Sequence, residues 1–419
     1  VVTLLVHINV SGGSSVMVTQ TNGNAVNTTD TMGAVTVTGS ANTMSVSATA
    51  PKIATASASV AGVVANSVTV NDVNYASATK AGTITSVTAS GYTTLAINDN
   101  ALTTLSVTNG SGNIIIDNSG LTTATNKTLA MTADGLTGGT LDDADIYTTL
   151  NVTTANNNST LANVTFGALT ALTVAGTKTL TLTSTAGMSA LKTATVSGSA
   201  GLTANVSGLA TVTAVDTSAS TGTSTITIDS SKATYTGGAG VDKVTTTALL
   251  TKAIDLGAGD DMLTLWSGTT TSTATVAGGL GSDTLSMTAA DAATAGGSAT
   301  FAGKVSGFEK LTLTGATNQT IDLKVLGNYN DVTTSGGNGL TLTNLPTAGK
   351  LTLTGAGTAY TITNADFTVP TTDVLNLTLT DGSGAAVAFR IYWYHSLPTL
   401  KPSTITTVDT QATPSGTFL

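Results

Sequence analysis

Leu169-Thr170-Ala171-Leu172-Thr173-Val174-Ala175-Gly176 places an apolar residue, two variable residues, a second apolar residue, one variable residue and a third apolar residue ahead of a small-residue turn. The same order stands at residues 102–107, closed by Asn109-Gly110, and at residues 147–152. A weaker copy runs from Leu191 to Val196 and Gly198, another begins at Leu209, and a late one occupies residues 308–313, closed by Gly315. The starts at 147, 169, 191 and 209 lie 18 to 22 residues apart, the length of one solenoid coil. Lys310-Leu311-Thr312-Leu313-Thr314-Gly315-Ala316 recurs verbatim at residues 350–356, about two such periods on. The Leu-Thr-Leu-Thr alternation is that of a half-buried strand. A unit this short cannot bury its own apolar face, whereas stacked units pair their backbones and share one core. The expected fold is therefore all-β: a parallel β-solenoid or β-helix, preferred to a string of β-sandwich domains. Leu169, Leu172, Val174, Leu311 and Leu313 are expected inside, with Thr170, Thr173 and Thr312 outside or in threonine ladders. A leucine-rich repeat shares the Leu-x-x-Leu-x-Leu core, but its Asn or Cys signature and helical arm are missing.

Composition agrees with this pattern. Of 419 residues, 40% are hydrophobic but only 4% aromatic, so the apolar load lies in small and β-branched side chains. About a fifth of the chain is Thr; Gly is abundant (45) and Pro scarce (6). Only 9% of residues are charged, yet the net charge is −9, and the acidic side is almost purely Asp, with Glu309 the only Glu. Asp suits tight turns and the ligation of hard cations. A pI near 4.4 argues against a nucleic-acid partner, since little is present to neutralise phosphates. The absence of cysteine excludes disulfides, Cys-ligated zinc and thiol nucleophiles. No apolar run approaches a membrane span, and none is expected. The chain starts at Val1 and stops in mid-pattern at Gly416-Thr417-Phe418-Leu419, as a mature or fragmentary chain would.

The sharpest motif lies between residues 237 and 286. Gly237-Gly238-Ala239-Gly240-Val241-Asp242-Lys243-Val244 and Gly278-Gly279-Leu280-Gly281-Ser282-Asp283-Thr284-Leu285 match a Gly-Gly-x-Gly-x-Asp-x-apolar turn, and Leu256-Gly257-Ala258-Gly259-Asp260-Asp261-Met262-Leu263 matches with its first Gly replaced. This is the pattern of the calcium-binding nonapeptide repeat. Glycines allow tight turns with converging carbonyls, and the Asp adds charge for a cation that takes six or more oxygens. Asp242, Asp261 and Asp283 fall about one coil apart, so stacking would bring them to one edge. Residues 138–143, Gly138-Gly139-Thr140-Leu141-Asp142-Asp143, match poorly and read as an ordinary Asp-rich turn.

On these residues the chain resembles the RTX-bearing bacterial surface-layer (S-layer) proteins. The specific motif covers roughly residues 235–290; the Thr-rich, Cys-free, acidic background covers nearly the whole chain. The resemblance implies a short RTX-type β-roll section in which Asp242, Asp260, Asp261 and Asp283 are Ca2+ ligands and Gly238, Gly240, Gly257, Gly259, Gly279 and Gly281 shape the turns. It also implies calcium-dependent folding outside the cell, location at the bacterial cell surface and assembly with further copies of itself. The chain departs from the family in having few such turns, separated by long insertions.

The expected organisation is a Thr/Ala-rich solenoid over 1–230, a calcium-binding region over 231–300, further solenoid over 301–389 and an atypical segment over 390–419. Arg390-Ile391-Tyr392-Trp393-Tyr394-His395 contains the chain's only Arg, and reads either as an exposed aromatic loop or as misassigned sequence. Catalysis finds little support: His7 and His395 are far apart in sequence, and no Ser or Thr stands in a nucleophile motif. Asp142, Asp143 and Asp145 could imitate the acidic cluster of a β-helix lyase or hydrolase, and Trp266 reads as a packing residue. The expected function is a structural subunit of an extracellular surface layer or filament. The alternatives are a secreted or surface-bound adhesin and a polysaccharide-acting β-helix enzyme. The expected partner is the chain itself, in a homo-oligomeric lattice or filament, with cell-surface polysaccharide as a further candidate.

Overall fold

A computed structural model of the protein describes residues 7–20, 33–49, 67–334, 337–346, 348–354, 357–364, 375–379, 391–394 and 405–410. It is a parallel β-solenoid, as the periodicity predicts, and it divides into two compact units, Val1–Ile226 and Thr227–Leu419.

In the first unit, successive strands go alternately to two parallel sheets, so each coil gives one strand to each. One sheet includes Thr128–Asp134, Thr149–Thr154, Ala171–Gly176, Thr193–Gly198 and Ala214–Ser220. The other includes Ser67–Asn71, Thr94–Asn98, Asn113–Asp117, Thr140–Asp143, Ser159–Thr165 and Thr179–Ser184. The register aligns like with like. Leu150, Leu172, Ala194 and Val215 form one inward column and Val152, Val174 and Val196 another, while Asn151, Thr173, Thr195 and Asp216 face outward. Each buried Leu or Val contributes about 1.5–3 kcal/mol, and the stack repeats that gain coil after coil.

The first apolar residue of the motif turns out to be a corner residue. Tyr147, Leu169 and Leu191 align ahead of their strands, and all are buried. The copy assigned to Leu209 is three residues out of register: Thr193 pairs with Ala214, so Val212 is the partner of Leu191. Leu209 instead closes the preceding turn, its amide donating to Val206 O, as the Leu191 amide donates to Met188 O one coil earlier.

In the second unit, one sheet contains Asp242–Thr246, Met262–Thr264, Thr284–Thr288, Lys310–Thr314, Asp331–Thr334, Lys350–Leu353, Leu375–Leu379 and Ile405–Thr410. Short strands Thr234–Thr236, Ile254–Asp255, Val276–Ala277 and Val305–Ser306 form a second sheet. Thr320–Asp322, Gly337–Leu345, Gly357–Asn364 and Ile391–Tyr394 form a third. The two verbatim copies sit two coils apart on one sheet, Lys310 aligned with Asp331 and Asp331 with Lys350. The Lys350 ammonium pairs with Asp331 at 3.3 Å across the coils. Leu311 and Leu313 are buried and Thr312 is half-buried, as expected.

Two short helices depart from the all-strand expectation. Ala289–Ala295 starts because the Thr288 hydroxyl accepts the Asp291 amide, ahead of an alanine-rich run. Leu323–Leu326 is capped by Asp322, whose carboxylate accepts the Lys324 and Val325 amides. The aromatic segment is also not a loop: Ile391–Tyr394 is a strand in parallel register with Tyr360, Thr361, Ile362 and Thr363. Arg390 and His395 lie outside the described residues.

Replacing Leu311 by Ala is expected to lower stability by about 2–5 kcal/mol, and replacing Thr312 by Ala by less than about 0.5 kcal/mol. Urea unfolding measures both. Equal effects would contradict the inward and outward assignment.

Candidate metal centre

Three glycine-rich corners of the second unit join short strands to longer ones. In each, the Asp stands two residues ahead of an inward apolar residue: Asp242 before Val244, Asp261 before Leu263 and Asp283 before Leu285. The period-2 geometry of a strand therefore turns the carboxylate inward as well. Asp242 and Asp261 are 1% exposed and Asp283 is 0% exposed.

The register stacks these acids. The Asp242 amide donates to Asp261 Oδ1 at 2.7 Å, and the Asp261 amide donates to Asp283 Oδ1 at 2.8 Å. The ladder has a fourth rung that sequence reading missed. The Asp283 amide donates to Glu309 Oε2 at 2.9 Å, and Thr284 aligns with Lys310, which places Glu309 beside Asp283. Here the corner contracts to Gly307-Phe308-Glu309, and the longer side chain reaches the position Asp holds elsewhere. The available signal was the chain's only Glu, one residue ahead of an aligned strand.

Asp261 Oδ2 and Asp283 Oδ2 are buried and accept no hydrogen bond. Two other buried acids, Asp143 and Asp72, are engaged on both oxygens. Asp143 accepts the amides of Asp145, Ile146 and Tyr147, and Asp72 accepts those of Asn74, Thr83 and Ile84. Those are local caps; Asp261 and Asp283 accept amides across the coils, and each keeps an oxygen in reserve. Burial, reinforced by the nearby charges of Asp242, Asp283 and Asp260, pushes the Asp261 carboxyl up to about 7. Burial raises Asp283 too, with Glu309 and Asp260 adding to the effect and Lys310 opposing it.

The glycines make this stacking possible. Gly257, Gly259, Gly279 and Gly281 have φ of +90°, +143°, +110° and +140°. A Cβ on Gly279 would stand 1.9 Å from Gly257 O, and one on Gly259 would stand 2.6 Å from Gly240 O. Gly238 O accepts the Ala258 amide at 2.7 Å and Gly257 O accepts the Leu280 amide at 2.8 Å, so each turn is laced to the next. Leu256, where neighbouring corners have Gly237 and Gly278, is buried and leaves the register intact. Asp260 does not join the buried ladder. It is exposed, and its Oδ1 accepts the Ser282 amide at 2.9 Å on the next turn.

The chemistry of this corner fits a hard cation: every nearby donor is oxygen, and two buried carboxylate oxygens are uncommitted. Among the described residues no three His, Cys, Asp or Glu side chains gather as a metal-binding group. An ion held here would use pairs of acids and draw its remaining ligands from turn carbonyls and water.

The other candidates separate. Residues 140–143 form the strand Thr140–Asp143 rather than a turn. Asp142 accepts the Thr165 hydroxyl, Asp143 is buried as a cap, and Asp145 accepts the Gly167 amide at 2.5 Å. They serve three different backbone neighbourhoods, not one reacting centre. Trp266 is 46% exposed and does not act as the packing residue expected of it. His7 is exposed. A groove of about 570 Å³ lined by Thr185, Ser189, Asn205, Ser207 and Leu209 has no titratable side chain in its lining. No helix among the described residues is long and apolar enough to cross a membrane.

No protein-family model matches the chain, and no curated protein matches it. The fold and this corner together define a parallel β-solenoid with a ladder of acids on four successive coils, Asp242, Asp261 and Asp283 buried and Glu309 exposed.

Proposed function

We propose that the chain is a structural subunit of an extracellular surface layer or filament, which binds calcium at its Gly/Asp corners and pairs with further copies of itself once those corners are ordered. The observation that carries this reading is the pair of stacked, buried carboxylates Asp261 and Asp283, each with an oxygen that accepts no hydrogen bond. Strands in a sheet lie about 4.8 Å apart, and two like charges at that range repel by roughly 1 kcal/mol in water and several-fold more at a partly buried site. A divalent cation reverses the sign of that interaction and fixes the turns. The environment outside a bacterial cell supplies calcium, and a Cys-free chain stabilised by metal and backbone lacing suits it.

The test is assembly. The double variant Asp242→Asn, Asp283→Asn is expected to need more calcium than the parent to form ordered arrays or filaments under electron microscopy. Assembly of both at the same calcium concentration, or full assembly of the parent in chelator, would overturn the calcium-switch reading. Isolated, non-associating particles at saturating calcium would favour an adhesin.

A further inference from the structure

We infer that the first unit holds a second divalent-cation site, built by Asp72 and Asp99 at the neck of the loop 73–83. The two acids occupy the same rung of adjacent coils. Asn71 pairs with Asn98, and the Asp72 amide donates to Asn98 O at 2.9 Å. Asp72 is 1% exposed and Asp99 is 0% exposed. Both carboxyl groups close on Gly82, where an added Cβ would stand 2.1 Å from Asp99 Oδ1 and 3.1 Å from Asp72 Cγ. A side chain at this position would collide with the Asp99 carboxyl group, so the backbone can pass this close only as glycine.

Their hydrogen bonds are unequal. Asp72 accepts four hydrogen bonds: the Asn74 amide on Oδ1, and the Thr83 amide, Thr83 hydroxyl and Ile84 amide on Oδ2. Asp99 Oδ1 accepts the Ala101 amide at 3.0 Å, while its buried Oδ2 accepts nothing. The adjacent Asn100 Nδ2 also lacks a partner, and its Oδ1 accepts the Gly82 amide at 2.7 Å. Among the described residues no Lys forms an ion pair with either acid. Two stacked carboxylates with an uncommitted inward oxygen and no counter-charge call for a positive ion. The donors are all oxygen, which selects a hard cation of the calcium class over a thiol- or imidazole-seeking metal. Burial, with Asp72 adding to it, raises Asp99 to about 7, in keeping with an anion that lacks its partner.

The consequence is local order. Asp72 grips both ends of the loop, through Asn74 on one side and Thr83 and Ile84 on the other, and the loop itself exposes Val73 and Tyr75. An ion at Asp99 would fix that neck. The site is separate from the Gly/Asp corners and stands or falls independently of them.

Calcium stoichiometry by native mass spectrometry on the full chain, with hydrogen exchange across residues 73–84, tests this. Asp99→Asn is expected to bind one ion fewer than the parent, and Asp261→Asn, Asp283→Asn to keep the first-unit ion. At calcium ten times the dissociation constant, exchange at the neck should slow on the order of tenfold in the parent and in the double variant, but not in Asp99→Asn. Unchanged stoichiometry in Asp99→Asn would overturn the site and leave an Asp99–Asn100 hydrogen bond as the metal-free solution. Should Asp99→Asn fail to fold, the parent decides: neck exchange that is equal in calcium and in chelator also overturns it. Loss of ions from the double variant alone speaks only to the second unit.

Discussion

Gly281→Ala is expected to cost several kcal/mol of stability, against less than about 0.5 kcal/mol for Gly208→Ala. Gly281 sits at φ +140°, and a Cβ there would stand 1.7 Å from Gly259 O. The obstructing atom is backbone of the coil beneath, so no side chain can swing aside. Left-handed or otherwise strained backbone in a non-glycine residue costs about 1–3 kcal/mol. Separating the turns also threatens two bonds, Gly259 N to Leu280 O and Leu280 N to Gly257 O, both 2.8 Å, each contributing about 1 kcal/mol. Against a typical stability of roughly 5–15 kcal/mol this is a large fraction. Gly208 is exposed, with nothing within 4 Å of an added Cβ. Urea midpoints of the two variants provide the comparison, and coincident midpoints would refute the close stacking of the turns.

Stripped of metal, the protein is expected to be most stable in mildly acidic solution and to lose stability between about pH 4 and pH 7. A free Asp titrates near 3.9 when unfolded, whereas folded Asp261 is pushed up to about 7. Across that interval the folded state holds the proton and the unfolded state does not, so stability falls as pH rises. The contribution is complete below pH 4 and gone above the folded value. Asp283 is raised and acts in the same direction, as does Asp99, raised to about 7. Asp134 is held below its usual range mainly by the Asn156 amide group. Asp229 is also lowered, Lys232 and Ser231 outweighing its burial, so both acids act in the opposite sense, at pH values below the usual carboxylate range. Calcium at a hundred times its dissociation constant should restore about 2.7 kcal/mol per site at neutral pH and flatten the slope. Melting temperature followed from pH 4 to 8, in chelator and in calcium, checks this; a flat chelator profile would contradict the buried ladder. Asp261→Asn should remove part of the slope and Asp99→Asn a further part.

What sequence reading recovered and missed follows from how far each signal travels along the chain. Alternation is local, so the inward column at Leu172 and Val174 and the coil-to-coil alignment of Lys310 with Lys350 were legible. Corner contacts depend on register between coils. Leu209 mimicked a strand start because its own turn is apolar, and only the pairing of Thr193 with Ala214 exposes the offset. Glu309 went unseen because its corner lost the Gly-x-Gly spacing that marks the other three. Asp72 and Asp99 lie 27 residues apart with a loop between them, and nothing in either neighbourhood announces that they stack. Thr288 and the alanines after it were a readable helix start, overlooked against an overwhelmingly β background.

That helix has a practical side. Residues 289–304 stand between Thr284–Thr288 and Val305–Ser306, yet Met287 still faces Leu313 and Val276 still faces Val305. The coil has absorbed an extra passenger without a slip in either sheet, and residues 297–300 remain at the surface. This corner is therefore a graft site: a foreign peptide spliced between Gly297 and Ser298 would be carried outside the stack.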